Sequence, residues 1–183
     1  MCVKTSLDLN HFMTTEIKEL LREVESLDSE NLIIINEMCD KELLKQSAGA
    51  AVHRDTNGND IISLDPKRAD EHALAHEIMH IKLHRSGWSQ IYSMIPDNFA
   101  RNLADKMDNL IDHHVFYPEL KSTGIDISGY LDTFTVGFDY WTRSEDKELD
   151  ILNNGLDACQ GLLFGEPYKT RTIESIEKNI LKA

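Results

Sequence analysis

Cysteine is scarce in this sequence. The three present, Cys2, Cys39 and Cys159, are odd in number, widely spaced and form no CxxC pair, which argues against a disulfide framework or a structural zinc knuckle and for reduced thiols. Positive charge is scarce too: 19 Lys and Arg stand against 32 Asp and Glu, a formal net charge of -13. Long-range attraction to nucleic acid or to an anionic membrane is unfavourable for such a chain. The longest basic stretch, Pro66-Lys67-Arg68, reads as the opening of a helix. No apolar run approaches the ~20 residues that span a bilayer. The N-terminal Met1-Cys2-Val3-Lys4-Thr5-Ser6 leads into acidic and polar residues rather than a signal core. Internal repeats and low-complexity linkers are also missing. Together these absences lead us to expect a cytoplasmic protein with no direct nucleic-acid or membrane partner.

What is present is an ordinary globular balance, 41% hydrophobic and 28% charged over 183 residues. That is enough for one domain, 1–183, with a sizeable core. Thr14 and Thr15 precede Ile17, Leu20, Leu21, Val24 and Leu27, so residues 15 to 27 are expected to be an amphipathic helix with a threonine cap. Leu32-Ile33-Ile34-Ile35 reads as a buried strand; residues 38 to 47 are ambiguous. Asn57-Gly58 between Ala51-Val52 and Ile61-Ile62 predicts a hairpin over 50 to 64, because Asn-Gly accepts the positive φ angles of a tight turn.

A helix is expected to start at Asp65-Pro66 and to stop at Ser86-Gly87. A second long helix, about 98 to 117, carries Phe99, Leu103, Met107, Leu110, His114 and Tyr117 at three- and four-residue intervals and is expected to end at Pro118. Residues 119 to 141 read as irregular or strand-like. A C-terminal helical extension, about 145–183, has expected helices over 146 to 163 and 173 to 181.

The strongest chemical signal is His76-Glu77-Ile78-Met79-His80. On a helix, two imidazoles four residues apart leave one face at a spacing suited to a single divalent ion. Zinc suits nitrogen donors, and two histidines plus one further protein ligand leave a position for water, whose pKa then drops towards ~7. Glu77, next to the first ligand, is placed to take that proton as general base. A chance HExxH on a solvated helix is the competing reading. Against it, Ala73, Leu74, Ala75, Ile78, Met79, Ile81 and Leu83 surround the motif with apolar residues, and buried histidine and glutamate need partners. His72 and His84 extend the row at steps of four. One tetrahedral ion cannot reach four residues stacked over three turns, so these two read as packing residues or as hydrogen-bonding supports for the ligands.

The third ligand is sought on the 98–117 helix, which offers Asp105, Asp108, Asp112, His113 and His114. Helical-wheel geometry puts His113 at the edge of the apolar stripe and His114 near its middle, with the three aspartates towards the polar face. The candidates rank His113, then His114, then Asp112 and Asp108, a solvated helix face being the alternative for each acid. Tyr130 and Tyr140 are candidate oxyanion donors, although tyrosine in such an aromatic, glycine-rich segment is commonly core. Cys39 is a candidate inhibitory thiolate at the open metal position.

A hairpin, an HExxH helix followed by Leu83-His84, and a second helix ending at a proline resemble the compact zincin peptidases, most of all the ImmA and IrrE group of bacterial and phage regulators. The resemblance covers about residues 31 to 118. It implies a minimal metallopeptidase that cleaves or acts on a repressor-like partner, with His76, Glu77 and His80 in the family's positions. The group normally supplies a glutamate from the second helix, whereas this chain has none between Glu77 and Glu119.

The expected fold is α+β, a minimal zincin-like arrangement with a small, mainly antiparallel sheet packed on the HExxH helix and further helices. Its exposed edge strand would take an extended peptide by main-chain hydrogen bonds. The expected function is zinc-dependent hydrolysis of a peptide bond. A metal-containing regulatory or binding module without peptidase activity is the main alternative, and a hydrolase of small amides or esters a further one.

Overall fold

The structure is a computed structural model that describes residues 12–27, 33–37 and 49–127, together with 155–156, 158–159, 161–163, 169–170 and 172–174. Its elements are α1 (Thr15–Leu27), β1 (Ile33–Glu37), β2 (Ala50–Arg54), β3 (Asp60–Leu64), α2 (Glu71–Arg85) and α3 (Asn98–Ser122), an α+β and mostly helical set. Contacts divide the chain into two units, Met1–Ser89 with Pro118–Asp126, and Gln90–Tyr117 with Ile127–Ala183. None of the helices among the described residues is long and apolar enough to cross a membrane. Residues 38 to 47, Cys39, Tyr130, Tyr140 and most of the expected C-terminal helices lie outside the described residues.

In the first unit, α1 begins where the sequence places it: Thr14 Oγ1 accepts the N–H of Ile17 and so satisfies one of the unpaired donors of the first turn. Ile17, Leu20 and Val24, on one face, are buried. The hairpin also forms, but not as a two-residue turn. Asp55 donates its N–H to Asn59 O, Gly58 donates to Asp55 O, and the Asp55 carboxylate accepts the backbone N–H groups of Asn57 and Asn59. Gly58 alone in this loop has a positive φ, +84°. The turn thus runs over five residues, with aspartate organising the backbone that Asn57 was expected to organise through its own conformation. The bonds from Asn59 and Asn57 hold the Asp55 carboxyl below its ordinary value.

The sheet has the order β1-β3-β2. β2 and β3 are antiparallel, whereas β1 joins β3 in parallel, Ile33 to Glu37 lying against Asp60 to Leu64. The mainly antiparallel sheet expected from the sequence is therefore mixed. An apolar β-branched run marks a strand but not its direction, and the 12 residues between β1 and β2 are long enough to admit either. Gly49, at φ +112°, precedes β2, where an added Cβ would meet the Arg68 carbonyl group at 2.8 Å; a side chain there would have to displace the backbone of the turn between β3 and α2.

Among the described residues β2 is an edge strand, paired on one side with β3. The bonds Asp55 N–H to Asn59 O and Asp65 N–H to Gly49 O bracket the ladder on odd-numbered residues of the strand. Antiparallel alternation then turns the main-chain groups of Ala50, Val52 and Arg54 away from β3.

Between β3 and α2 the expected helix start is displaced. Pro66-Lys67-Arg68 makes one isolated turn closed by Arg68 and Ala69 N–H on Asp65 O. The helix starts at Glu71, where Asp70 in extended conformation accepts the Ala73 N–H at 2.8 Å. Both aspartates suit a helix start, but only Asp70 directly precedes the run that packs. Ser86 and Gly87 end the helix as expected, with their N–H groups on the Lys82, Leu83 and His84 carbonyls. From every residue between His72 and Ile81 except Glu77, α2 presents a buried side chain. Lys82 reaches Glu23 of α1 and Glu119 of α3, each at 2.6 Å.

The second unit contains most of α3, opened by Asp97, whose carboxylate accepts the Ala100 N–H. Asp108 accepts the Ile91 N–H at 2.7 Å and so ties the preceding loop to this helix. Pro118 does not end α3. The helix continues to Ser122, past the one hydrogen bond that proline removes, because Leu120 on this last stretch is fully buried and packing outweighs the lost bond. The described residues of 155–163 and 169–174 are helical, and Cys159 among them is an exposed free thiol.

Candidate metal centre

His76 and His80 are one turn apart on α2, and both are buried. Their Nε2 atoms are 3.2 Å apart and the rings meet edge to face at 4.8 Å between centroids. The flanking pairs are wider, 6.2 Å for His72 with His76 and 6.3 Å for His80 with His84. Only the central pair of the four-histidine row therefore converges on a point. His72 is also buried, which pushes its imidazole below the ordinary value against the opposing pull of Asp70 and Asp126.

His113 on α3 has no exposed surface and is held edge to face by Phe116 and Tyr117, at 5.4 and 5.3 Å between ring centroids. The ligand atoms of His76, His80 and His113 all lie within 4.8 Å of one another, so this buried group could hold a metal ion. Tetrahedral zinc, at about 2.0–2.1 Å from each nitrogen, sets its ligand nitrogens about 3.3 Å apart; the His76–His80 separation fits that spacing.

The rival third ligands fall elsewhere. His114 is exposed, and so is Asp105. Asp108 and Asp112 group instead with His84. Asp112, expected on the polar face of its helix, is 1% exposed. The buried face of α3 is formed by Asp112, His113, Phe116, Tyr117 and Leu120, whereas Phe99 and Met107 of the expected stripe are exposed. Spacing alone located a stripe but misplaced its centre by about one residue, or 100° around the helix. Glu119, the first glutamate after Glu77, is half-exposed and occupied with Lys82.

Glu77 is the one partly exposed residue in the buried run of α2. Burial of its carboxyl pushes it above the ordinary carboxylate value; His80 and a hydrogen bond from the Val52 backbone N–H pull the other way. That donor is one of the main-chain groups of β2 turned away from β3, so the carboxyl of the motif faces the edge strand. Sequence reading identified Glu77 but not Val52, because a main-chain donor leaves no residue signature. It also missed Asp60, which is buried at the start of β3 between Arg54 and Arg85.

No protein-family model, curated protein or solved structure matches the chain.

Proposed function

We propose that this protein is a zinc-dependent metallopeptidase of the compact zincin type, in which His76, His80 and His113 hold the metal and Glu77 is the general base. The single observation that carries the reading is the grouping of three buried imidazoles with a carboxyl that lies on the same helix and faces the edge strand of a sheet. Neutral imidazoles favour zinc over magnesium or calcium, which take oxygen donors. A zinc ion bound there would supply Lewis acidity that polarises a carbonyl and acidifies water. Histidine then takes the place of the glutamate that the ImmA and IrrE group brings from its second helix.

The chain's own residues account for the remaining steps. Main-chain groups of Ala50 and Arg54, and the Val52 carbonyl, are turned away from β3 and can pair with an extended peptide while the Val52 N–H stays on Glu77, which aligns the scissile bond along the strand. Glu77 accepts a proton from the attacking water and returns it to the leaving amine, so the peptide is cleaved with no net change in the enzyme. A carboxyl raised by burial is suited to both halves of that cycle. The substrate we propose is an extended segment of a repressor-like partner protein, met in the cytoplasm.

Glu77→Gln is the deciding variant. It keeps size and a hydrogen-bond acceptor for Val52 but cannot accept a proton, so it should retain about one equivalent of zinc and the wild-type melting profile while discrete cleavage of a partner protein, followed by mass, is lost. Equal biological activity of variant and wild type would replace the peptidase by a metal-containing binding module.

A further inference from the structure

Asp60 is 4% exposed and opens β3. Its two oxygens are shared between two arginines. Oδ1 accepts Nε and Nη2 of Arg54 at 3.0 and 2.9 Å, and Oδ2 accepts Nε and Nη2 of Arg85 at 2.8 and 2.6 Å. Charge-assisted bonds of this length are stronger than neutral ones, and each arginine engages its own oxygen of the carboxylate. Arg54 is the last residue of β2 and Arg85 the last of α2. One carboxylate thus joins the end of the edge strand to the end of the helix that bears the HExxH motif.

The position of this clamp matters because an edge strand is bonded on one side only. Val52 lies two residues, about 7 Å, from Arg54 along the strand, and Glu77 lies eight residues, about 12 Å, from Arg85 along the helix. The Val52 N–H meets the Glu77 carboxyl across this interval. Any sliding or fraying of β2 relative to α2 changes that contact first. A burial argument alone would not need this arrangement, since Arg85 with a side chain 1% exposed could be neutralised by Asp60 without Arg54, whose side chain is 53% exposed. The second arginine brings the edge strand into the linkage.

We infer that Asp60, acting through Arg54 and Arg85, is a positioning residue that holds β2 in register with α2 and so keeps the Val52 N–H on the Glu77 carboxylate. Its effect on hydrolysis rests on the peptidase reading above; its effect on the edge strand does not.

Arg54→Gln is the test, because it releases the strand while leaving the buried Asp60–Arg85 pair in place. Amide hydrogen exchange is measured residue by residue, with Arg54→Lys and Asp60→Asn alongside. Exchange at Val52 should accelerate by at least about tenfold in Arg54→Gln while Leu74 and Ile78 in α2 keep their wild-type rates, the pattern of local rather than global opening. Arg54→Lys should restore part of the protection. Zinc content should stay at the wild-type value, and kcat should fall more than KM rises. Asp60→Asn should loosen Val52 further. If that variant does not fold, Arg54→Gln still decides. Unchanged Val52 exchange in Arg54→Gln overturns the inference, as does equal acceleration at Val52, Leu74 and Ile78, which would make the clamp a general stabiliser. Loss of the peptidase reading through Glu77→Gln would leave the exchange result standing.

Discussion

Helices α2 and α3 both carry candidate metal-binding imidazoles, yet their surroundings differ. α2 is buried around most of its circumference from His72 to Ile81. α3 is buried along one face of its C-terminal half, and Phe99, Met107, Ile111 and Val115 on other faces are exposed. In α2 a polar residue is costly unless it has partners, so each histidine or glutamate there carries information. In α3 a polar residue can simply face water, so each of the five candidate ligands there carries less information. A motif on a buried helix is therefore easier to interpret than a motif on a half-exposed one.

The largest effects that bear on this contrast concern the metal. Alanine at His76 or His80 should abolish stoichiometric zinc. His113→Ala should weaken binding by more than about 100-fold, the upper range for merely supporting residues, and Asp105→Ala should leave it unchanged. Metal analysis after dialysis reads all four. Undiminished zinc in His113→Ala would mean that His113 is not a ligand.

The next largest effects concern packing. Leu74, fully buried on α2, should cost about 2–5 kcal/mol when replaced by alanine. Met107, 39% exposed on α3, should cost about 0.5 kcal/mol or less. Urea titration of the two variants gives the ratio directly; similar losses would show that α3 is covered in solution on a face that is open here. Asp70→Ala should lie between them, at about 1 kcal/mol, because it removes the acceptor for the Ala73 N–H.

A similarly small effect, one that depends on pH, belongs to Lys82, where α2 meets α1 and the last turn of α3. Burial lowers its pKa, but hydrogen bonds and charge from Glu119 and Glu23 outweigh this and the net shift is upward from 10.5. A raised lysine contributes stability that is fully present below its ordinary value and is lost as pH climbs through the higher folded value. Both carboxylate partners are half-exposed, so Lys82→Met should cost only about 0.5–1 kcal/mol at pH 7. Urea midpoints of wild type and variant should converge above pH 10.5 and also at high salt. A gap that widened with pH would refute the sign.

Much of the first unit was legible in order. α1 with its threonine cap, the β1 run, the hairpin and the Ser86-Gly87 stop follow from local chemistry, since each is set by a few neighbouring residues. The start of α2 was not, because Asp65-Pro66 and Asp70 are both competent openings and only packing selects between them. Pro118 misled for a similar reason: the loss of one hydrogen bond is a local cost, and Leu120 offsets it through burial that the sequence does not display. The Asp60 clamp joins residues 54, 60 and 85 from three elements, a juxtaposition with no periodicity to reveal it.

The sequence by itself determined that one helix would carry two imidazoles and a carboxyl on adjacent faces, since a step of four residues is nearly one helical turn whatever surrounds it. Tertiary structure alone decided that β1 runs parallel to β3, that His113 is fully buried while His114 is exposed, and that Glu77 meets the N–H of Val52. Those outcomes depend on how the elements are turned and set against one another, and such rotations are fixed by contacts between residues distant in the chain.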